Sequence, residues 1–208
     1  MITVSLAPYG SRKLLLFLAA VISLIAASCF ASSSFSTVNN TPYDRQMTRI
    51  QPVLCASSHG PKQDVSLSLV NHWIENLRAI PYGFSKEWKT PAEVESGAAA
   101  DCKGKAVALY NLIHACGADN VRLVIGKRTW MSQKTHAWLE WTTTTGTYVL
   151  DPTINWSALR AEHLGGSSYI PLYAYAGDRK YRADNSSTFA QNNWHAQRSA
   201  IASAPAAR

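Results

Sequence analysis

Residues 100–106 read Ala100-Asp101-Cys102-Lys103-Gly104-Lys105-Ala106, and they open the segment that decides the fold. From Cys102 to Cys116, apolar residues recur at Ala106, Leu109, Leu112, Ile113 and Cys116. That is the three-four spacing of a helix with one buried face. Gly117 follows at once, and a glycine beyond the last turn closes a helix in the left-handed conformation. Cys102 thus stands at a helix start, beside unpaired N–H groups and the positive end of the dipole, a setting suited to a nucleophilic thiol. Lys103 and Lys105 add positive charge nearby. A small buried residue opening a core helix fits the same pattern, because free cysteine is among the most buried residue types.

Flanking elements follow from the same rules. Val65 to Ile80 carries a helical stripe (Leu67, Leu69, Val70, Trp73, Ile74, Leu77) that stops before Pro81. Pro81 to Thr90 reads as a loop. Thr90-Pro91-Ala92-Glu93 is a helix start, with threonine as cap, proline at the first position and glutamate closing a capping box. After Gly117 the period changes to two. Val121 to Gly126, His136 to Trp141 and Thr147 to Asp151 alternate as strands. Tyr169 to Tyr181 adds an aromatic outer strand. If paired residue numbers sum to 287, His136 faces Asp151, Trp138 faces Val149, and the turn spans Thr142 to Thr145. Side chains directly opposite have Cβ atoms about 5 Å apart, within reach of an imidazole–carboxylate hydrogen bond.

The rest of the 208 residues frames this domain. Residues 1–31 combine Arg12 and Lys13, an apolar run from Leu14 to Ala27 and small residues after it, the layout of an export signal. Fourteen residues are short for a membrane span, which needs roughly 20. Ala26-Ala27-Ser28-Cys29 also resembles a lipoprotein cleavage box, with Cys29 as the lipidated residue; cleavage after Ala31 would release a soluble protein. Either route leads to a periplasmic or secreted product, touching a membrane only through its leader or a lipid at Cys29. Residues 32–63 are rich in polar residues and proline and read as a flexible linker. Residues 64–184 form one domain, and 185–208 a loose polar tail. Beyond Cys29, 18 basic residues stand against 13 acidic ones, scattered and without the run of a nucleic-acid arm. Cys102 and Cys116 on one helix would be about 21 Å apart, too far to bridge when linked Cα atoms lie within about 7 Å. A Cys55–Cys116 bridge stays open.

Cysteine on a helix start, histidine on a strand and aspartate on the neighbouring strand are what a thiol nucleophile requires. The histidine moves the proton and the aspartate orients the ring. Asp151 before Pro152 is equally a common turn former. The Cys102 N–H would help hold the oxyanion, and the Trp88 indole is a candidate second donor.

Asp101-Cys102, His136-Ala137-Trp138 and Leu150-Asp151-Pro152-Thr153 resemble the core of the transglutaminase-like superfamily. Val70-Asn71, Trp88-Lys89-Thr90-Pro91-Ala92-Glu93 and Arg122-Leu123-Val124 extend the resemblance to the bacterial transglutaminase-like cysteine proteinases, adhesin-cleaving members included. The resemblance covers about residues 65–153. It implies an α+β fold with a papain-like core, the nucleophile helix packed on an antiparallel sheet. It implies Cys102 as nucleophile, His136 as base and Asp151 as orienter, acting on a protein or peptide substrate. Those members carry acidic, calcium-binding residues just after the cysteine. Here Lys103 and Gly104 stand there, and lysine does not ligate calcium; no metal or other cofactor is expected. Acyl transfer to an amine would use the same residues, and a non-catalytic binding module could keep the same fold.

Overall fold

The computed structural model describes residues 34–56, 65–97, 99–165 and 167–184. The leader, the Cys29 box and the tail beyond 184 lie outside the described residues. The elements run β1 (Phe35–Thr37), α1 (Asp44–Met47), α2 (Gln51–Leu54), α3 (Leu67–Ala79), α4 (Pro91–Glu95), α5 (Cys102–Ala115), β2 (Val121–Thr129), β3 (His136–Thr143), β4 (Gly146–Leu150), β5 (Leu159–Arg160), β6 (Ser168–Ala176) and β7 (Arg179–Ala183). The strands form one antiparallel sheet in the order β1-β7-β6-β2-β3-β4-β5. This is an α+β fold, as the resemblance implies.

One face of the sheet packs on α5. Ala106, Leu109, Tyr110 and Ile113 share a buried cluster with Leu123, Ile125, Ala137, Leu139, Trp141 and Leu150. The alternate residues Val124, Trp138, Val149, Tyr169 and Ala174 form a second cluster on the other side of the strands. The expected helix ends hold. Ser66 caps α3 by accepting the Leu69 N–H at 3.2 Å. Thr90 and Glu93 form the capping box of α4. Gly117, at φ 89°, closes α5 in the region glycine enters without a Cβ clash. Lys105 is buried and donates to the Ile80 carbonyl at 2.6 Å, tying α5 to the end of α3. Cys55, Cys102 and Cys116 are all free thiols, so the Cys55–Cys116 bridge does not form.

Three expectations need correction. Residues 34–56, read as part of a linker, instead fold as β1, α1 and α2. Met47, Ile50 and Leu54, spaced three and four apart, are buried in the main cluster. The polar composition hid this short stripe because the core, not the segment itself, supplies its burial. Arg49 fastens it further, donating to Glu93 at 2.7 Å and to the Trp88 carbonyl at 3.1 Å. Second, Tyr169–Tyr181 is no single outer strand. It is the β6–β7 hairpin, and β6 pairs with β2 inside the sheet. Third, the β3–β4 register differs by two. Leu139 pairs with Leu150 and Glu140 with Val149, and the chain turns in two residues, Thr144 and Thr145. Thr142 and Thr143 prolong β3, as β-branched residues do. The Thr143 hydroxyl ties the turn, accepting the Thr145 N–H at 3.1 Å and donating to the Gly146 carbonyl at 3.0 Å. A slip of two keeps every side chain on its expected face, whereas a slip of one would reverse them all.

Gly126 lies where β2 meets both neighbours, opposite His136 on β3 and Pro171 on β6, beside an irregularity in the β2–β6 ladder. A Cβ there would lie 2.1 Å from the Ile170 carbonyl oxygen and 2.5 Å from the Trp138 ring. Gly126→Ala is therefore expected to cost about 2 kcal/mol or more, seen as a melting-temperature loss of about 5 °C. An unchanged melting temperature would contradict this packing.

Candidate active site

Cys102 enters the site because Asp101 starts the helix. The Asp101 side chain is almost wholly buried, and its Oδ1 accepts the Lys103 and Gly104 N–H groups, each at 3.1 Å. Two of the free donors at the helix start are thereby matched. Oδ2 accepts the Ser85 N–H at 3.2 Å and bonds the Lys103 ammonium, which also donates to the Ser85 carbonyl at 2.9 Å. The Cys102 N–H is the first-turn donor that this cap leaves over.

His136, the first residue of β3, is electrostatically coupled to Cys102. Its Nε2 bonds Asp151 Oδ2 at 2.7 Å. In the observed register His136 and Asp151 stand diagonally rather than face to face. Diagonal partners, with Cβ atoms no more than about 7–8 Å apart, remain within reach of long side chains.

Asp151 is fully buried, just past the end of β4. Its two oxygens divide the work. Oδ1 accepts the Thr153 N–H at 3.0 Å and the Ile154 N–H at 3.3 Å, the turn expected of an Asp-Pro pair. Oδ2 accepts His136 and the Tyr169 hydroxyl, the latter at 3.0 Å. The turn-forming role and the histidine-holding role thus coexist in one carboxylate.

Electrostatics follow from these bonds. Burial alone would push the His136 imidazole down, but its bonds and charge attraction to Asp151 and Cys102 raise it from its ordinary 6.5 to about 9. Burial would raise the Asp151 carboxyl. The bond and charge of His136, the Thr153 N–H and the Tyr169 hydroxyl outweigh it and hold the carboxyl below its ordinary value.

Trp88 requires correction as an oxyanion donor. Its indole is buried in the core, and its N–H donates to Gln46 Oε1 at 3.4 Å. The segment it serves is the one misread as linker, so its partner was invisible from the sequence. The residues that sequence reasoning missed are Asp101 as helix cap, signalled by aspartate directly before the helix, and Tyr169, which carried no signal beyond its aromatic neighbourhood. Lys103 and Lys105 are not free charges around the thiol; both are spent on internal acceptors. Exposed aromatic residues border the site: Tyr82, electrostatically coupled to Cys102, and Phe84, whose ring lies 5.0 Å from the Lys103 ammonium. Among the described residues, no group of three or more His, Cys, Asp or Glu side chains could hold a metal ion.

The fold is similar to solved structures of Legionella pneumophila LapG. The calcium-bound form is 15% identical, covers 69% of this chain and 81% of that chain, and has a TM-score of 0.50. The EGTA-treated form is 17% identical over 71% and 81%, with a TM-score of 0.49. A further LapG structure is 17% identical over 72% and 85%, with a TM-score of 0.43. At such identities the likeness, carried by the calcium-bound form, is one of fold. No family model matches the chain, and neither does any curated protein.

The His136–Asp151 pair has a defined pH window. The raised imidazole contributes stability that is complete below about its ordinary value of 6.5 and is lost as pH rises through about 9. The lowered carboxyl contributes stability that is present above its ordinary 3.8 and is lost as pH falls through its folded value. Asp151→Asn is therefore expected to melt about 5 °C below the parent protein near pH 6, with the gap closing above about pH 9. A gap independent of pH would show that no ion pair is lost.

Proposed function

We propose that this chain is an exported thiol hydrolase that cleaves peptide or amide bonds through Cys102, His136, Asp151 and an acyl-enzyme. The observation that carries this reading is one imidazole bonded to a buried carboxylate and electrostatically coupled to a cysteine on a helix start. The fold shared with the calcium-bound LapG structure is consistent with it.

The chemistry runs in two halves. His136 takes the Cys102 proton, and the thiolate sulfur attacks the carbonyl carbon. The oxyanion that forms accepts the Cys102 N–H. The tetrahedral intermediate collapses, the C–N bond breaks, and the imidazolium gives its proton to the leaving amine. Water then loses a proton to His136 and attacks the thioester. Collapse releases the carboxylic acid and the Cys102 sulfur, and the proton taken from water stays on His136, ready for the next cycle. Asp151 keeps the ring oriented and stabilises its charged form. An amine in place of water would give acyl transfer through the same thioester.

Calcium has no part in this scheme. A divalent ion at Asp101 would meet the Lys103 ammonium already bonded there, so the residues present do not fit one. Export rests on the leader reading of residues 1–31. Among the described residues, no helix is long and apolar enough to cross a membrane.

Turnover of a peptide library, read by mass spectrometry with a primary amine present, tests the proposal. Cys102→Ala is expected to lower turnover by on the order of 10³-fold or more while melting within a few degrees of the parent protein. New carboxyl termini identify hydrolysis and amine-capped termini identify transfer. Undiminished turnover in Cys102→Ala, or a collapsed melting temperature, would contradict the assignment.

A further inference from the structure

Tyr169 has a backbone no other described non-glycine residue shares. Its φ is 51°, in the left-handed region that a bulky side chain enters only under strain. Its side chain is nevertheless buried and bonded on every side. The hydroxyl donates to Asp151 Oδ2 at 3.0 Å and accepts from Asn155 Nδ2 at 2.8 Å. The ring meets Trp138 edge-on at 5.3 Å, Trp138 stacks on His136 at 6.3 Å, and the Arg128 guanidinium lies 4.3 Å from the Tyr169 ring centre. A closed circuit results: Tyr169 touches Asp151 through its hydroxyl and reaches His136 through Trp138.

The strained backbone lies one residue before Ile170, whose carbonyl fills the space that a side chain at position 126 would need. The glycine therefore permits the close approach of β6 that sets Tyr169 under the carboxylate. Strain retained at a buried residue with a defined polar contact is the pattern of a constrained functional position.

We propose that Tyr169 is a positioning residue of the catalytic group, its hydroxyl fixing the Asp151 oxygen that receives His136. Asn155 completes the relay by donating to the phenol oxygen, which strengthens the O–H as a donor to Asp151. Burial and the neighbouring Asp151 charge hold the Tyr169 phenol well above its ordinary value, so it remains a donor throughout the working range. Without this donor, Oδ2 keeps a single partner, only the Oδ1 bonds still orient the carboxylate, and its protonation moves to higher pH. The inference rests on the proposed hydrolase reading, since Tyr169 acts only through Asp151 and His136.

The test compares iodoacetamide alkylation of Cys102 across pH, located by mass spectrometry, in the parent protein, Tyr169→Phe and Asn155→Ala. Phenylalanine keeps the ring contacts with Trp138 and Arg128 and removes the hydroxyl alone. The expected result for Tyr169→Phe is an alkylation rate about tenfold lower near neutral pH, with the acid limb of the profile moved to higher pH. Asn155→Ala shifts in the same direction by less. A Tyr169→Phe profile that coincides with the parent's overturns the positioning role, even if the melting temperature falls, because a purely structural loss does not move a pH profile. If Cys102 of the parent protein itself fails to react near neutral pH, the hydrolase reading falls first and the positioning role with it.

Discussion

Everything at this site depends on a buried negative charge, the Asp151 carboxylate. A charge taken out of water is tolerated only when its lone pairs are matched by donors. Asp151 has four donors, from Thr153, Ile154, Tyr169 and His136. Those donors come from the loop after β4, from β6 and from the start of β3. Satisfying one carboxylate therefore fixes three parts of the sheet relative to each other. His136 arrives already oriented, held for its own electrostatic reasons rather than for chemistry alone.

Asp101 repeats the device on the other side of the thiol. It too is buried and bonded on both oxygens, to the first turn of α5, to Ser85 and to Lys103. The Cys102 thiol thus sits between two satisfied carboxylates. One locks the helix start that carries the sulfur and the other locks the ring beside it. Both arrangements are preorganised before any substrate arrives, which is where protein scaffolds contribute most to covalent catalysis.

Periodicity and capping chemistry made much of this legible in the sequence. The three longer helical segments, the capping box at Thr90–Glu93, the closing Gly117 and the strands carrying His136 and preceding Asp151 all follow from local rules. So does the shared face of His136 and Asp151, since the two-residue register difference preserves it. What escaped was non-local. The stripe Met47–Ile50–Leu54 is too short to declare itself without the core that buries it. The indole of Trp88 was misassigned because its acceptor, Gln46, belongs to that same segment. Tyr169 depends on a close approach between β2 and β6 that becomes visible only once both strands are in place. Asp101 carries its capping role in its residue type alone, an aspartate directly before the helix start.

The central claim is that Cys102, His136 and Asp151 act as one electrostatic unit with the imidazole kept charged far above its usual range. An NMR titration of the His136 ring nitrogens in the intact protein measures that directly. The account predicts a ring that stays protonated through neutrality and loses its proton near pH 9. A simple titration close to 6.5, the ordinary histidine value, would show that the ring is not held charged by the Asp151 carboxylate, and would contradict the account.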